Sequence, residues 1–180
     1  MKRLLIITLL LLSVGLSQNR VIVNNLLKYG DKYFKENDDR PYNGIVFDLS
    51  KETGNKILEF RMVKGLKNGL YQEWYPDGNP KTKGKFIHGM ENGVWTQWSE
   101  NGQKTQEINH KDGKLDGLNT GWYENGQKSN KGTFKDGKLD GLYTDWYENG
   151  QKESELNIKD GKLDGVHFSW YDNGKKNHET

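Results

Sequence analysis

Four histidines, His88, His110, His167 and His178, and a recurring set of paired aspartates are the residues whose chemistry first suggests a site. No two of the histidines stand at metal-ligand spacing, and His110 and His167 occupy positions held by Phe or Tyr elsewhere in the chain. There is no cysteine, which excludes disulfides, thiolate metal sites and thiol nucleophiles. The pairs Asp112/Asp116, Asp136/Asp140 and Asp160/Asp164 fall in "DGKLDG" segments and form a carboxylate ladder of the kind a calcium ion would use. Asp-Gly is, however, a turn-forming pair in its own right, and the intervening lysine opposes a cation. Nucleophile-elbow, zinc-helix and phosphate-loop motifs do not occur. The residues therefore predict no catalytic group, no metal and no cofactor, hence a protein that is not an enzyme.

Aromatic side chains remain as means of recognition. Tyr71, Tyr75, Trp95, Tyr123, Tyr143, Tyr147 and Tyr171 recur along the chain. A tyrosine joins apolar area to a hydrogen-bonding tip, which suits a protein or a carbohydrate ligand.

The elements that must position these rings repeat every 24 residues. Gly69, Gly93, Gly117, Gly141 and Gly165 are spaced by that step, as are Gly78, Gly102, Gly126, Gly150 and Gly174. Trp74, Trp98, Trp122, Trp146 and Trp170 keep the same period. A fixed period of this length marks a repeat array. Within a unit, Leu142–Tyr147 is rich in strand formers, Glu148-Asn149-Gly150-Gln151 is a hairpin turn, and 152–159 is the return strand. Both residues of Asn-Gly tolerate positive φ, so that pair predicts the tight turn. The two Asp-Gly pairs of "DGKLDG" predict a longer connection, with all these glycines at turns. The fold class that follows is all-β: an elongated, single-layer antiparallel meander of tandem hairpins.

Side chains alternate across a strand, so Leu142, Thr144 and Trp146 share one face and Tyr143, Asp145 and Tyr147 the other. The column Leu70, Val94, Leu118, Leu142, Val166 is always aliphatic and the Trp74 column never varies. The Tyr143 column instead reads Tyr71, Trp95, Asn119, Tyr143, His167. Uniform columns predict the structural face and variable ones the exposed, binding face. Residues such as Leu156 and Ile158 of the return strands are expected to add to the apolar side. Gly84 and Gly132, next to Phe86 and Phe134, are expected to let a Trp ring lie against the backbone.

Ahead of the regular array, Gly44 stands 25 rather than 24 residues before Gly69, which predicts a degenerate first repeat with one extra residue in its turn. Residues 18–42, with Leu26, Leu27, Tyr29, Tyr33 and Phe34, do not repeat and predict a cap over the first hairpin, ahead of an array over 43–180. Residues 1–17 combine Lys2 and Arg3, an apolar run from Leu4 to Leu12, and small residues at Gly15 and Ser17. That is the pattern of a cleaved secretory signal, too short to span a bilayer comfortably. The expectation is an exported protein, periplasmic or secreted, soluble after cleavage with no membrane insertion and, lacking cysteine, not a lipoprotein. With 27 basic against 25 acidic residues, the charge balance offers no reason to expect nucleic acid.

The unit G-x-[WY]-x-x-[WY]-[YS]-x-[ND]-G-x-x-K, followed by [YF]-x-x-G-x-x-[ND]-G, resembles the MORN repeat in its bacterial variant form. With the entry segment "LLKYGDKYFKENDDRPYNGIVFDL", the chain over about 26–176 is similar to toxin–antitoxin system YwqK family antitoxins. The resemblance implies a hairpin array and a protein partner, a toxin in that family. Given an export signal, either that partner lies in the envelope or the likeness records ancestry. A cell-wall or surface glycan, held by spaced Tyr and Trp rings, is the alternative ligand.

Overall fold

The structure, a computed structural model, describes residues 19–179, so the expected signal at 1–17 lies outside the described residues. A short strand β1 (Arg20–Ile22) leads through one 3-10 turn into the hairpin β2 (Leu26–Tyr29) and β3 (Lys32–Lys35). The meander then begins with β4 (Gly44–Leu49), β5 (Lys56–Val63), β6 (Leu66–Trp74) and β7 (Pro80–Ile87). It continues through β8 (Met90–Glu91), β9 (Gly93–Trp98), β10 (Lys104–Lys111), β11 (Lys114–Leu115) and β12 (Gly117–Trp122). It ends with β13 (Lys128–Lys135), β14 (Lys138–Trp146), β15 (Lys152–Lys159), β16 (Lys162–Trp170) and β17 (Lys176–Glu179). From β4 onward neighbours pair antiparallel in sequence order, except that the short β8 and β11 pair only with β7 and β10, which pair on with β9 and β12. Strand β1 adds in parallel to β4, and β2–β3 forms a separate two-stranded sheet. The all-β hairpin array expected from the period is what the chain forms.

The two turn types exchange the roles that the sequence suggested. At the Tyr147 tip, Gly150 donates its N–H to the Tyr147 carbonyl and only Gly150, at φ 83°, is left-handed. Asn149 stays at negative φ and accepts the Gln151 N–H on its side chain, so the turn is type I closed by a glycine bulge. The two-residue type I′ turn lies at Asp-Gly instead: Asp160 and Gly161 have φ of 51° and 79° between the paired Lys159 and Lys162. Gly69, Gly93, Gly117, Gly141 and Gly165, expected at turns, sit where each forward strand bulges against its neighbour, at φ between 75° and 123°. In the first hairpin the tip bond runs from Ser50 N–H to the Asn55 carbonyl, one residue longer than Tyr147 to Gln151. That is the extra residue inferred from Gly44.

The core lies at the N-terminal end. Val21, Tyr42, Val46, Phe60 and Met62 are buried together, with Val23, Leu26, Leu58, Tyr33 and Tyr71 packed against them. Leu26 and Tyr33 thus fold over the first units, while Leu27 and Tyr29 stay exposed and Tyr29 meets Phe34 edge-on. Filling one large apolar site of this kind stabilises by about 1.5–3 kcal/mol. Beyond these units the sheet continues as a single layer.

Candidate functional site

Strand register decides which side chains share a face, and it reverses the assignment read from the uniform columns. Phe60 pairs with Tyr71, Tyr71 with Gly84, and Trp95 with Ile108. Further along, Asn119 pairs with Gly132, Gly132 with Tyr143, Tyr143 with Leu156, and Leu156 with His167. The large residues of the return strands therefore lie on the Tyr face, not with the Leu/Val column. Trp95, expected to be exposed, is only 6 % accessible, and Tyr71 packs between Phe60, Phe86 and Trp95 at ring separations of 5.4–5.6 Å. The aliphatics Leu70, Val94, Leu118, Leu142 and Val166, expected to be the core, are 40–51 % exposed. Their cross-strand neighbours Lys85, Asn109, Thr133 and Asn157 are polar, so no continuous apolar layer forms on that side.

The tryptophan column lies on the same outer face as the aliphatics, each ring half-buried. Lys56, Lys104, Lys128 and Lys152 place their amines 4.7–5.8 Å from the ring centres of Trp74, Trp122, Trp146 and Trp170. Lys56, Lys104 and Lys152 also pair with Glu59, Glu107 and Glu155. Pro80 occupies the corresponding position below Trp98, which has no lysine over it among the described residues.

The tyrosines of the tips are tied into the scaffold. The hydroxyls of Tyr75, Tyr123 and Tyr147 donate to the carbonyls of Trp98, Trp146 and Trp170 one unit on, at 2.7–2.9 Å. Tyr171 is exposed. The aspartate ladder has a structural role as well: Asp116 and Asp140 accept the N–H of Asp136 and Asp160, the left-handed residues of the next turn. Asn43 and Asn68 do the same for Lys64 and His88. Among the described residues no cluster of three or more His, Asp or Glu is arranged to hold a metal ion.

A Trp ring lies against Gly84 as expected, whereas the ring against Gly132 is a tyrosine. A Cβ at Gly84 would stand 2.1 Å from the Trp95 indole, and one at Gly132 would meet Tyr143 at 2.7 Å. Close approach of ring to backbone thus requires glycine at these two places.

On the inner face the structure divides into two parts. Under the cap, Lys67 sends its amine among Phe60, Tyr71 and Phe86, 4.8–5.0 Å from each ring centre. Burial lowers its pKa, against the pull of Glu73 and Glu91. Burial also pushes the Tyr71 hydroxyl up, helped by its hydrogen bond to Glu73. Glu91 meets His110 Nε2 at 3.2 Å, while Trp95 Nε1 and His110 Nδ1 are buried without a partner. Sequence reasoning singled out Tyr71 and Trp95 but did not join them to Phe60, Phe86, Lys67 and His110, which stand in other columns.

Past the cap the same face opens into a groove of about 230 Å³. Ile108, Leu115, Phe134 and Tyr143 form its apolar walls, the amides of Gln106, Asn119 and Asn130 border it, and Gly121 and Gly132 lie along its floor. Burial pushes the Tyr143 pKa up to about 12, with the Asp145 carboxylate adding to the effect. The arrangement offers a shallow apolar strip beside hydrogen-bonding amides. It holds no nucleophile paired with a base.

The sequence model described as "MORN repeat variant" matches residues 67–88, 91–112, 115–136 and 139–160. The chain carries four MORN repeats of the variant type. Each match begins in a forward strand, passes the glycine-bulge tip and ends at the type I′ turn, so one MORN repeat is one hairpin. No curated protein matches the chain. The MORN repeats point to a protein of binding or interaction.

Proposed function

We propose that this MORN-repeat protein is a non-enzymatic interaction module that binds a protein partner through the open inner face centred on Tyr143. The observation that carries this reading is the groove past the cap, where Ile108, Phe134 and Tyr143 remain half-buried with none of the described residues laid over them. Apolar centres bordered by amides are the usual composition of a recognition surface. The generally non-catalytic character of MORN repeats supports the absence of chemistry. The finer proposal, from the likeness to YwqK family antitoxins, is that the partner is a toxin. The signal-like residues 1–17 support an exported protein whose partner is met in the envelope.

Photo-crosslinking residues placed at Tyr143 and at its neighbour Leu142, which face opposite ways, test this in cells. A discrete protein adduct from position 143, absent from 142, is expected; adducts from 142 alone would overturn the choice of face.

A glycan reading has one observation in its favour, the Tyr143 ring set among the amides of Gln106, Asn119 and Asn130. Retention on purified cell-wall glycan that is lost in Tyr143→Ala would favour it; no retention would remove it.

A further inference from the structure

The inner face of the sheet is one continuous surface with two kinds of cover. Over its first units lies the chain's own β2–β3 hairpin, placing Leu26 and Tyr33 on the core. The hairpin is fastened at the type I′ edge, where Tyr33 N–H donates to the Gly65 carbonyl at 3.0 Å. The repeat regenerates this landing site. Gly113, Gly137 and Gly161 stand at the equivalent turn position with the same left-handed φ, and among the described residues no backbone N–H donates to their carbonyls. The cap rests on Phe60 and Met62; four periods of 24 residues further on, Leu156 and Ile158 fill the equivalent register positions. Leu163, cross-strand from Ile158, is 56 % exposed.

We propose that the open stretch from Ile108 to Leu163 takes a hairpin or extended segment of another protein. That segment carries branched aliphatic and aromatic residues on one side and lies as the chain's own cap lies over the first units. This rests on the reading of the inner face as a protein-binding surface and names the form of the partner. Continuity with the cap interface is the argument: the same rows, turn and backbone acceptor are covered at one end and bare at the other. The cap's own sequence defines the chemistry, with Val21, Val23, Leu26 and Tyr33 supplying the contacts. A segment of this type gains burial from the apolar rows and specificity from backbone hydrogen bonds at the turn edge.

The probe is a synthetic peptide of residues 19–42, titrated into the full chain, whose own cap already fills the first site. Saturable binding is expected, weakened at least tenfold by Leu163→Asp and unchanged by Leu142→Asp on the other face. Leu163 is exposed, so its variant tests the surface without opening the core; Leu156→Asp, checked by circular dichroism, is the second variant. Absence of binding, or equal loss in Leu142→Asp, overturns the proposal. So does self-association of the chain lost in Leu163→Asp, which makes a second copy the occupant. A partner crosslinked at position 143 that the peptide fails to displace overturns it too, while leaving the interaction reading intact.

Discussion

At the scale of single residues, close contacts rather than reactive groups determine what the chain tolerates. Gly84 exists to admit the Trp95 indole, which a Cβ would meet at 2.1 Å. Gly84→Ala is expected to destabilise by roughly 1–3 kcal/mol through overpacking, read from a denaturant midpoint at constant slope. Gly93→Ala, with nothing within 4 Å of the added carbon, introduces no such clash. It carries only the backbone strain of its positive φ. Titration gives a second outcome. The Tyr143 hydroxyl holds its proton to about 12 and Tyr71 beyond that, whereas unfolded tyrosines ionise near 10. The folded state binds these protons more tightly, so their contribution is complete below pH of about 10 and is lost as pH rises towards 12. Stability measured across that window is expected to fall, less steeply in Tyr143→Phe. A flat profile would contradict the burial of both rings.

At the scale of the hairpin, the repeat is held by a ladder on each edge and a stack on its outer face. Tip hydroxyls reach the next unit's backbone, turn amides are received by the previous unit's Asn or Asp, and lysines cover tryptophans. Pro80 interrupts the stack at Trp98. Pro80→Lys restores the pattern, and a gain of about 0.5–1 kcal/mol is expected from the cation over the ring. Thermal unfolding of this variant against the parent checks it; an unchanged midpoint would show the lysine column to be ornamental. The period, the two strands and the Gly150 tip were legible because turn chemistry is local. The exchange of turn types was less so. Asn-Gly and Asp-Gly have similar preferences, and the choice between type I′ and a bulged type I turn depends on the twist and register of the flanking strands.

At the scale of the molecule, the sheet owes its buried side to what is laid over it. Phe60→Ala is expected to cost about 3–5 kcal/mol, because Phe60 lies under the cap in contact with Tyr71. Leu142→Ser, at a position half-exposed on the outer face, should stay within about 0.5 kcal/mol. Comparable losses for the two would restore the opposite assignment of faces. The hydrophobic-groove reading also depends on this scale. Tyr143, in a variable column of the sequence, lines the open groove. Of the other aromatics expected to bind, Tyr75, Tyr123 and Tyr147 spend their hydroxyls on the next unit, and Trp95 is buried.

Sequence by itself determined the repeat: its 24-residue length, the hairpin in each unit, the extra residue near Gly54, and glycine where the Trp95 ring presses on the backbone. These depend on local backbone preferences and on volume exchanged between neighbouring strands, both of which recur with the period. Only the tertiary structure decided which face is inside. Alternation within a strand separates two faces without saying which one is covered. The uniform Leu, Val and Trp columns were exposed or half-exposed because uniformity here reflects what each hairpin needs from the next. Burial was decided by bulky residues from both strands meeting in register and by the non-repeating cap. The cap acts at one end only, and among the described residues the inner face from Ile108 onward is left bare.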